Sequence, residues 1–277
     1  MLKIDSHQHF WKYSAVNHSW ITDDMKLLRK NFLPEDLKPV LEANGFDGCV
    51  LVQADQTLEE NDFQLQNAER YDFIKGVVGW VDLQATDISE QLERLSKYDK
   101  LKGFRHVLQG EQDRALMLKP GFLNGIGKLS QFGFTYDILI FPDQLKYAAT
   151  LVKQFPDQRF VLDHIAKPDI KNGKIADWKA DIMELAKYEN IFCKVSGMVT
   201  EADWAEWMPA DFTPYLDVIF GAFGTNRVLF GSDWPVCLVA ADYAQVVGLM
   251  ERYMSGFSES ERQGFWGGNA VNFYNLK

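Results

Sequence analysis

The sequence predicts a single (β/α)8 barrel, and three features of the chain carry that expectation. Eight short, β-rich apolar runs recur along the 277 residues, their starts 26–42 residues apart, close to the length of one strand-plus-crossover unit. Charged segments with helical periodicity fill the gaps. No run leads into the glycine-rich turn of an open dinucleotide-binding sheet, whereas eight units allow a parallel sheet to close on itself.

The first run starts at Ile4 (IDSHQHF) and the second at Phe46 (FDGCVLVQA). The connection between them is unusually long. It holds Trp11, Tyr13, His18 and Trp20 ahead of a helix predicted to begin at Pro34, since proline suits the first helical position. Long insertions of this kind lie on the catalytic face of a barrel and shape access to it; His18 is expected to be solvated there. After the third run, at Ile74 (IKGVVGWVDL), a periodic segment puts Ile88, Leu92 and Leu95 on one helical face. The fourth run starts at Leu101 (LKGFRHVL) and the fifth at Phe134 (FTYDILI). Between these two, Gly125-Ile126-Gly127-Lys128 imitates a phosphate-binding loop, but Leu129 stands where Ser or Thr should hold Mg²⁺, so it reads as a loop-to-helix passage. The sixth, seventh and eighth runs start at Phe160 (FVLDHIAKP), Ile191 (IFCKVSGM) and Val228 (VLFGSDWP), with helical periodicity at 180–186 and 243–250. Ser258 and Glu261 form a capping pattern that opens the terminal helices closing the barrel. No repeat, low-complexity tract or linker interrupts the chain, so residues 1–277 are read as one domain.

Composition narrows the function classes. With 47% hydrophobic and 25% charged residues, the chain can bury a sizeable core. Its net charge of −10 disfavours nucleic acid and anionic membranes, which are bound through clustered basic residues. No apolar run approaches the ~20 residues of a membrane helix, and the amino terminus lacks a signal-peptide pattern. Cys49, Cys193 and Cys237 form no CxxC pair, which argues against a disulfide framework. A cytoplasmic enzyme acting on a small molecule is the expectation.

Chemistry in a barrel sits at the carboxyl ends of the strands. The first strand ends in His7-Gln8-His9, and alternation turns both histidines to one side, as a metal or carbonyl clamp requires. The sixth ends in Asp163-His164 and the eighth in Gly231-Ser232-Asp233-Trp234-Pro235. Three histidines and one aspartate thus ring one mouth. A lone histidine at a strand end is usually structural; an HxH pair with a third histidine and a carboxylate points to function. Of Arg105 and His106, alternation sends only one inward. Arg105 is the natural reader of a carbonyl or carboxylate, with a rim ion pair as its ordinary alternative. Trp11, Trp80 and Trp234 are candidates for an apolar wall, and Gln53, Asp82 and Tyr136 for hydrogen bonds to hydroxyls; plain packing is the common fate of a tryptophan.

The runs DSHQHFW, GVVGWVDL, GFRHVLQ, LDHIAKP, KVSGM and FGSDWP resemble the lactonase branch of the amidohydrolase superfamily, along nearly the whole chain. That resemblance implies a barrel hydrolase of sugar-acid or pyrone lactones, with His7, His9, His164 and Asp233 as its active residues. The strand-4 Lys or Glu and the strand-5 His of binuclear relatives have no counterpart here, so two metals are not expected. One divalent ion such as Zn²⁺, held by the three histidines and Asp233, or no metal at all, are the two cofactor readings; no nucleotide or organic cofactor is implied. In the resulting scheme Asp233 is the general base toward water. His7, His9 and His164 stabilise the oxyanion, Arg105 orients the lactone, Trp11 and Trp234 wall the pocket, and Trp80, Gln53 and Tyr136 tune hydroxyl recognition. A metal-dependent decarboxylase of the same superfamily and a carbohydrate-binding barrel without turnover are the alternatives.

Overall fold

In the computed structural model, which describes residues 2–277, eight parallel strands follow one another around a single sheet in chain order. They are β1 (Ile4–Gln8), β2 (Gly48–Val52), β3 (Ile74–Gly79), β4 (Leu101–His106), β5 (Thr135–Ile138), β6 (Phe160–Leu162), β7 (Ile191–Val195) and β8 (Val228–Phe230). The ring closes just past β8: Gln8 bridges to Trp234, the His9 N–H donates to the Trp234 carbonyl (2.8 Å), and the Asp233 N–H donates to the His7 carbonyl (2.8 Å). The chain is a (β/α)8 barrel.

Helices alternate with the strands for the reasons the sequence gives. Pro34 opens α1 (Pro34–Ala43) at its first position. Ile88, Leu92 and Leu95 are the buried face of α3 (Ile88–Leu95), following α2 (Leu58–Arg70), whose first turn is capped by Thr57. The ring continues with α4 (Pro120–Leu129), α5 (Leu145–Gln154), α6 (Ala176–Leu185), α7 (Pro209–Phe223) and α8 (Tyr243–Tyr253). Ser258 and Glu261 make the reciprocal cap of α9 (Glu259–Gln263), and α10 (Asn269–Tyr274) ends the fold.

The core has two layers. Outward residues such as Cys49, Leu51, Phe104 and Cys193 meet the helix faces in the larger one. The smaller fills the bore: Ile4, Val50, Val52, Val78, Val161 and Leu229 pack against Phe273, Tyr274 and Leu276. The carboxyl-terminal segment therefore plugs the amino-terminal end of the barrel, beside Leu2 and Ile4, and leaves the opposite end to polar side chains.

Two expectations change. Gly125–Lys128 lies inside α4 rather than in a loop; Gly125 is there because α4 crosses so close to Leu83 that a Cβ would come within 2.7 Å of the Leu83 Cβ. His18 is buried, its ring beside Trp11 and Tyr13 and its Nδ1 against the Ser14 backbone. The insertion folds back on its own aromatic residues and removes the histidine from water. All three cysteines are free and buried. Among the described residues no helix is long and apolar enough to cross a membrane.

Candidate active site

The first strand aims the site through an irregularity. Asp5 pairs with Cys49 and Gln8 with Leu51, so β1 spends one residue more than β2 over the same stretch. Such a bulge re-aims the side chains that follow it. Gln8 reaches the helix side, where its amide meets the Cys49 sulfur (3.2 Å), and the flanking His7 and His9 both turn into the bore.

There the three imidazoles converge on one oxygen. Asp233 Oδ1 lies 3.2 Å from His9 Nε2, 3.8 Å from His7 Nε2 and 3.9 Å from His164 Nε2. All four residues are at most 5% exposed. The backbone is forced to achieve this. His164, Ile165, Ala166 and Lys167 form a left-handed turn directly after β6, and Asp233 is left-handed as well. Each costs roughly 1–2 kcal/mol for an L-residue, strain of a kind that persists where a site over-determines it. Gly197, also at positive φ, packs under the turn; a Cβ there would stand 2.6 Å from His164 Nδ1. That nitrogen is held by the Ser196 hydroxyl at 2.8 Å.

Charge follows from this packing. Burial opposes ionisation of Asp233, but the imidazoles of His164 and His9 and the Lys167 ammonium outweigh it and hold the carboxyl below its ordinary range. Burial pushes His164 well below the usual imidazole value, against the pull of Asp233. His7 is lowered strongly by burial, then by the cations Lys194 and Arg105. The site is thus a carboxylate facing neutral His7 and His164 at physiological pH.

Beneath lies a charged layer in the bore. Arg105 donates to Asp163 Oδ2 (3.1 Å), to the Gln53 carbonyl and amide oxygens (2.6 and 3.0 Å), and approaches His7 Nε2 (3.2 Å). Lys194, wholly buried, pairs with Asp137 (2.6 Å) and Asp163 (3.1 Å) and donates to His7 Nδ1 (3.1 Å).

The whole chain fits one known family. Residues 4–276 match the amidohydrolase family. The chain belongs to it. It is 40% identical, over 99% of its length and 96% of the relative, to an L-fucono-1,5-lactonase of Burkholderia multivorans, and 33% identical over the same shares to one of Burkholderia ambifaria. The crystal structure of a Burkholderia multivorans amidohydrolase with bound zinc superposes with a TM-score of 0.96 at 39% identity, covering all of both chains.

Among the described residues of this amidohydrolase, one group has the spacing a metal ion needs: single donor atoms of His7, His164 and Asp233 lie within 4.8 Å of one another. His9 adds an independent sign. Its Nδ1 faces the Val52 carbonyl at 2.8 Å, which only accepts, so Nδ1 carries a proton. Its Nε2 faces Asp233 Oδ1 at 3.2 Å. That contact is bridged either by a second ring proton, which makes the hydrogen bond that lowers Asp233, or by a divalent metal. The donor set fits the latter.

Several predicted substrate contacts lie elsewhere. Tyr136 is fully buried on the helix side, against Phe122 and Phe160; alternation along β5 turns Asp137 inward instead. Trp11 is also buried. It donates to the Lys30 carbonyl and packs on Phe32, pinning the insertion to the barrel, and Trp234 meets Phe10 and Phe32 edge-on. Gln53 is sealed under Arg105, and Arg105 itself is engaged with protein partners beside His7. Trp80 remains half-buried and donates to His106, which pairs with Glu111 (2.8 Å), so alternation sends Arg105 in and leaves His106 at the rim. Asp82 is exposed and holds the Gln84 amide. Sequence reasoning missed Lys194, Asp137 and Tyr274; the polar interruption of an apolar strand was the only signal for Lys194 and Asp137, and Tyr274 at the end of α10 carried none.

Proposed function

We propose that this amidohydrolase opens sugar-acid lactones by hydrolysis, with L-fucono-1,5-lactone as the first substrate to test. The observation that carries the reading is the convergence of three Nε2 atoms on Asp233 Oδ1 in a chain 40% identical to a lactonase of that specificity.

Asp233, charged and aimed at the mouth, takes a proton from the attacking water. The water oxygen bonds to the lactone carbonyl carbon, and negative charge develops on the carbonyl oxygen beside the imidazoles. Collapse of the tetrahedral intermediate breaks the ring C–O bond, and protonated Asp233 returns its proton to the departing alkoxide. The product is an open hydroxy acid that ionises in water. No covalent enzyme intermediate is needed, and the three cysteines are buried and raised in pKa by that burial. His7, His164 and Asp233, with His9 alongside, would hold a single divalent ion, Zn²⁺ foremost; when bound it would supply positive charge to polarise the carbonyl. We assign the enzyme to the cytoplasm on its free cysteines.

A pH-indicator assay over a panel of aldonolactones, run with and without chelator, tests the reading. Proton release from the fuconolactone and its near stereoisomers is the expected result. Carbon dioxide release from an aromatic acid without lactone turnover would overturn it in favour of a decarboxylase.

A further inference from the structure

The bore of a barrel is normally filled with branched aliphatic side chains. In this one, β7 contributes a lysine. Cys193 and Val195 face the helices, so alternation turns Lys194 inward, where it is wholly buried. A buried ammonium is costly, and a well-packed apolar set is often at least as stable as a buried ion pair. Stability alone therefore does not account for Lys194.

Its contacts do. The ammonium meets three groups: Asp137 Oδ2 at 2.6 Å, Asp163 Oδ1 at 3.1 Å and His7 Nδ1 at 3.1 Å. Lysine has no acceptor, so it donates to the imidazole. Asp137 Oδ2 also accepts the Tyr274 hydroxyl at 2.8 Å, and the ammonium lies 5.4 Å from the Tyr274 ring centre. A continuous chain thus runs from the carboxyl-terminal plug through Tyr274, Asp137 and Lys194 to His7. The His7 ring is then set from behind by Lys194, which takes its one acceptor nitrogen; the Arg105 guanidinium stands 3.2 Å from Nε2, and the ring centre sits 4.4 Å from that of His164.

We infer that Lys194 is a positioning residue for hydrolysis: with Asp137 and Tyr274 it fixes the plane of the His7 ring and so the alignment of His7 with His164 and Asp233. The inference rests on the hydrolytic role proposed for His7. Lying under the imidazole and away from the mouth, Lys194 governs turnover and leaves substrate affinity alone. A misplacement of about 1 Å at a reacting group costs on the order of 100-fold in rate.

The test uses the full-length protein and L-fucono-1,5-lactone. Lys194→Met alone would strand the buried Asp137 carboxylate, whereas Asp163 keeps Arg105, so the informative variant is Lys194→Met with Asp137→Asn, which removes one charge of each sign. The expected result is a folded protein with KM within about three-fold of the parent, kcat reduced roughly 10- to 100-fold, and a crystal structure in which the His7 ring has turned away from His164. Tyr274→Phe, which removes one hydroxyl and no charge, lowers kcat by a smaller factor of about two to five at unchanged KM. A folded double variant with parental kcat, or with His7 unmoved, overturns the inference; if the double variant does not fold, parental kcat in Tyr274→Phe overturns it. Should the parent hydrolyse no aldonolactone, the proposed function fails, and the orientation of the His7 ring in parent and variant crystals still decides the positioning role.

Discussion

His9 and Asp233 are tied at the seam where the barrel closes: His9 Nε2 stands 3.2 Å from Asp233 Oδ1, while His9 Nδ1 is held by the Val52 carbonyl. The carboxylate thereby has its position set by the strand paired next to its own. Asp233→Asn keeps size and hydrogen-bonding capacity but removes the base, so lactone turnover falls by about 100-fold or more with the thermal melt close to that of the parent. Parental rates of lactone opening in the variant would take the base role from Asp233.

The contact between His9 Nε2 and Asp233 Oδ1 also makes a statement about metal. Protein stripped with chelator is expected to take up one Zn²⁺ per chain on reconstitution, and to melt higher when it does. Zinc at 100 times its dissociation constant stabilises by about 2.7 kcal/mol, a readout independent of turnover. His164→Ala removes one of the three clustered donors and should abolish stoichiometric uptake. Failure to retain any zinc, with turnover undiminished in chelator, would assign the gap between His9 and Asp233 to a proton.

His18 has a structural part, which gives a stability prediction. Its buried ring packs beside Trp11 and Tyr13 and its Nδ1 meets the Ser14 backbone. His18→Ala should cost about 1–3 kcal/mol, a shift of several degrees in Tm for a chain of this size, and expose the insertion to limited proteolysis. An unshifted melt would return His18 to the solvated role that its loop position suggests.

Periodicity made the barrel legible. The eight strand starts and the Ile88/Leu92/Leu95 face follow from local pattern, which burial enforces within each element. His7, His9, His164 and Asp233 were legible because strand ends of a barrel converge by topology. What periodicity hides are one-residue effects and long-range partners. The bulge between Asp5 and Gln8 sets which side chains of β1 face the bore, yet nothing in the local pattern announces it. Tyr136 and Asp137 exchange places for the same reason: a single step along the strand moves a side chain from the mouth to the helix layer. Lys194 reads as a polar interruption of IFCKV, and its meaning depends on Asp137, 57 residues away, and on Tyr274, a further 137 residues from Asp137.

Two helical glycines offer a pair of opposite predictions from one substitution. Alanine normally improves a helix interior by up to about 1 kcal/mol over glycine. At Gly248 in α8, an added Cβ meets nothing within 4 Å, so Gly248→Ala should stabilise by roughly 0.5–1 kcal/mol. At Gly125 in α4 the same Cβ would stand 2.7 Å from the Leu83 Cβ and press into the Leu83 carbonyl. Leu83 is itself buried in the core and has no room to retreat. Overpacking of this kind costs typically about 1–3 kcal/mol, more than the helix preference returns, so Gly125→Ala should destabilise on balance. Denaturant melts of the two variants beside the parent read both signs at once. A stabilised Gly125→Ala protein would mean that α4 stands further from the strand-3 connection than the structure places it.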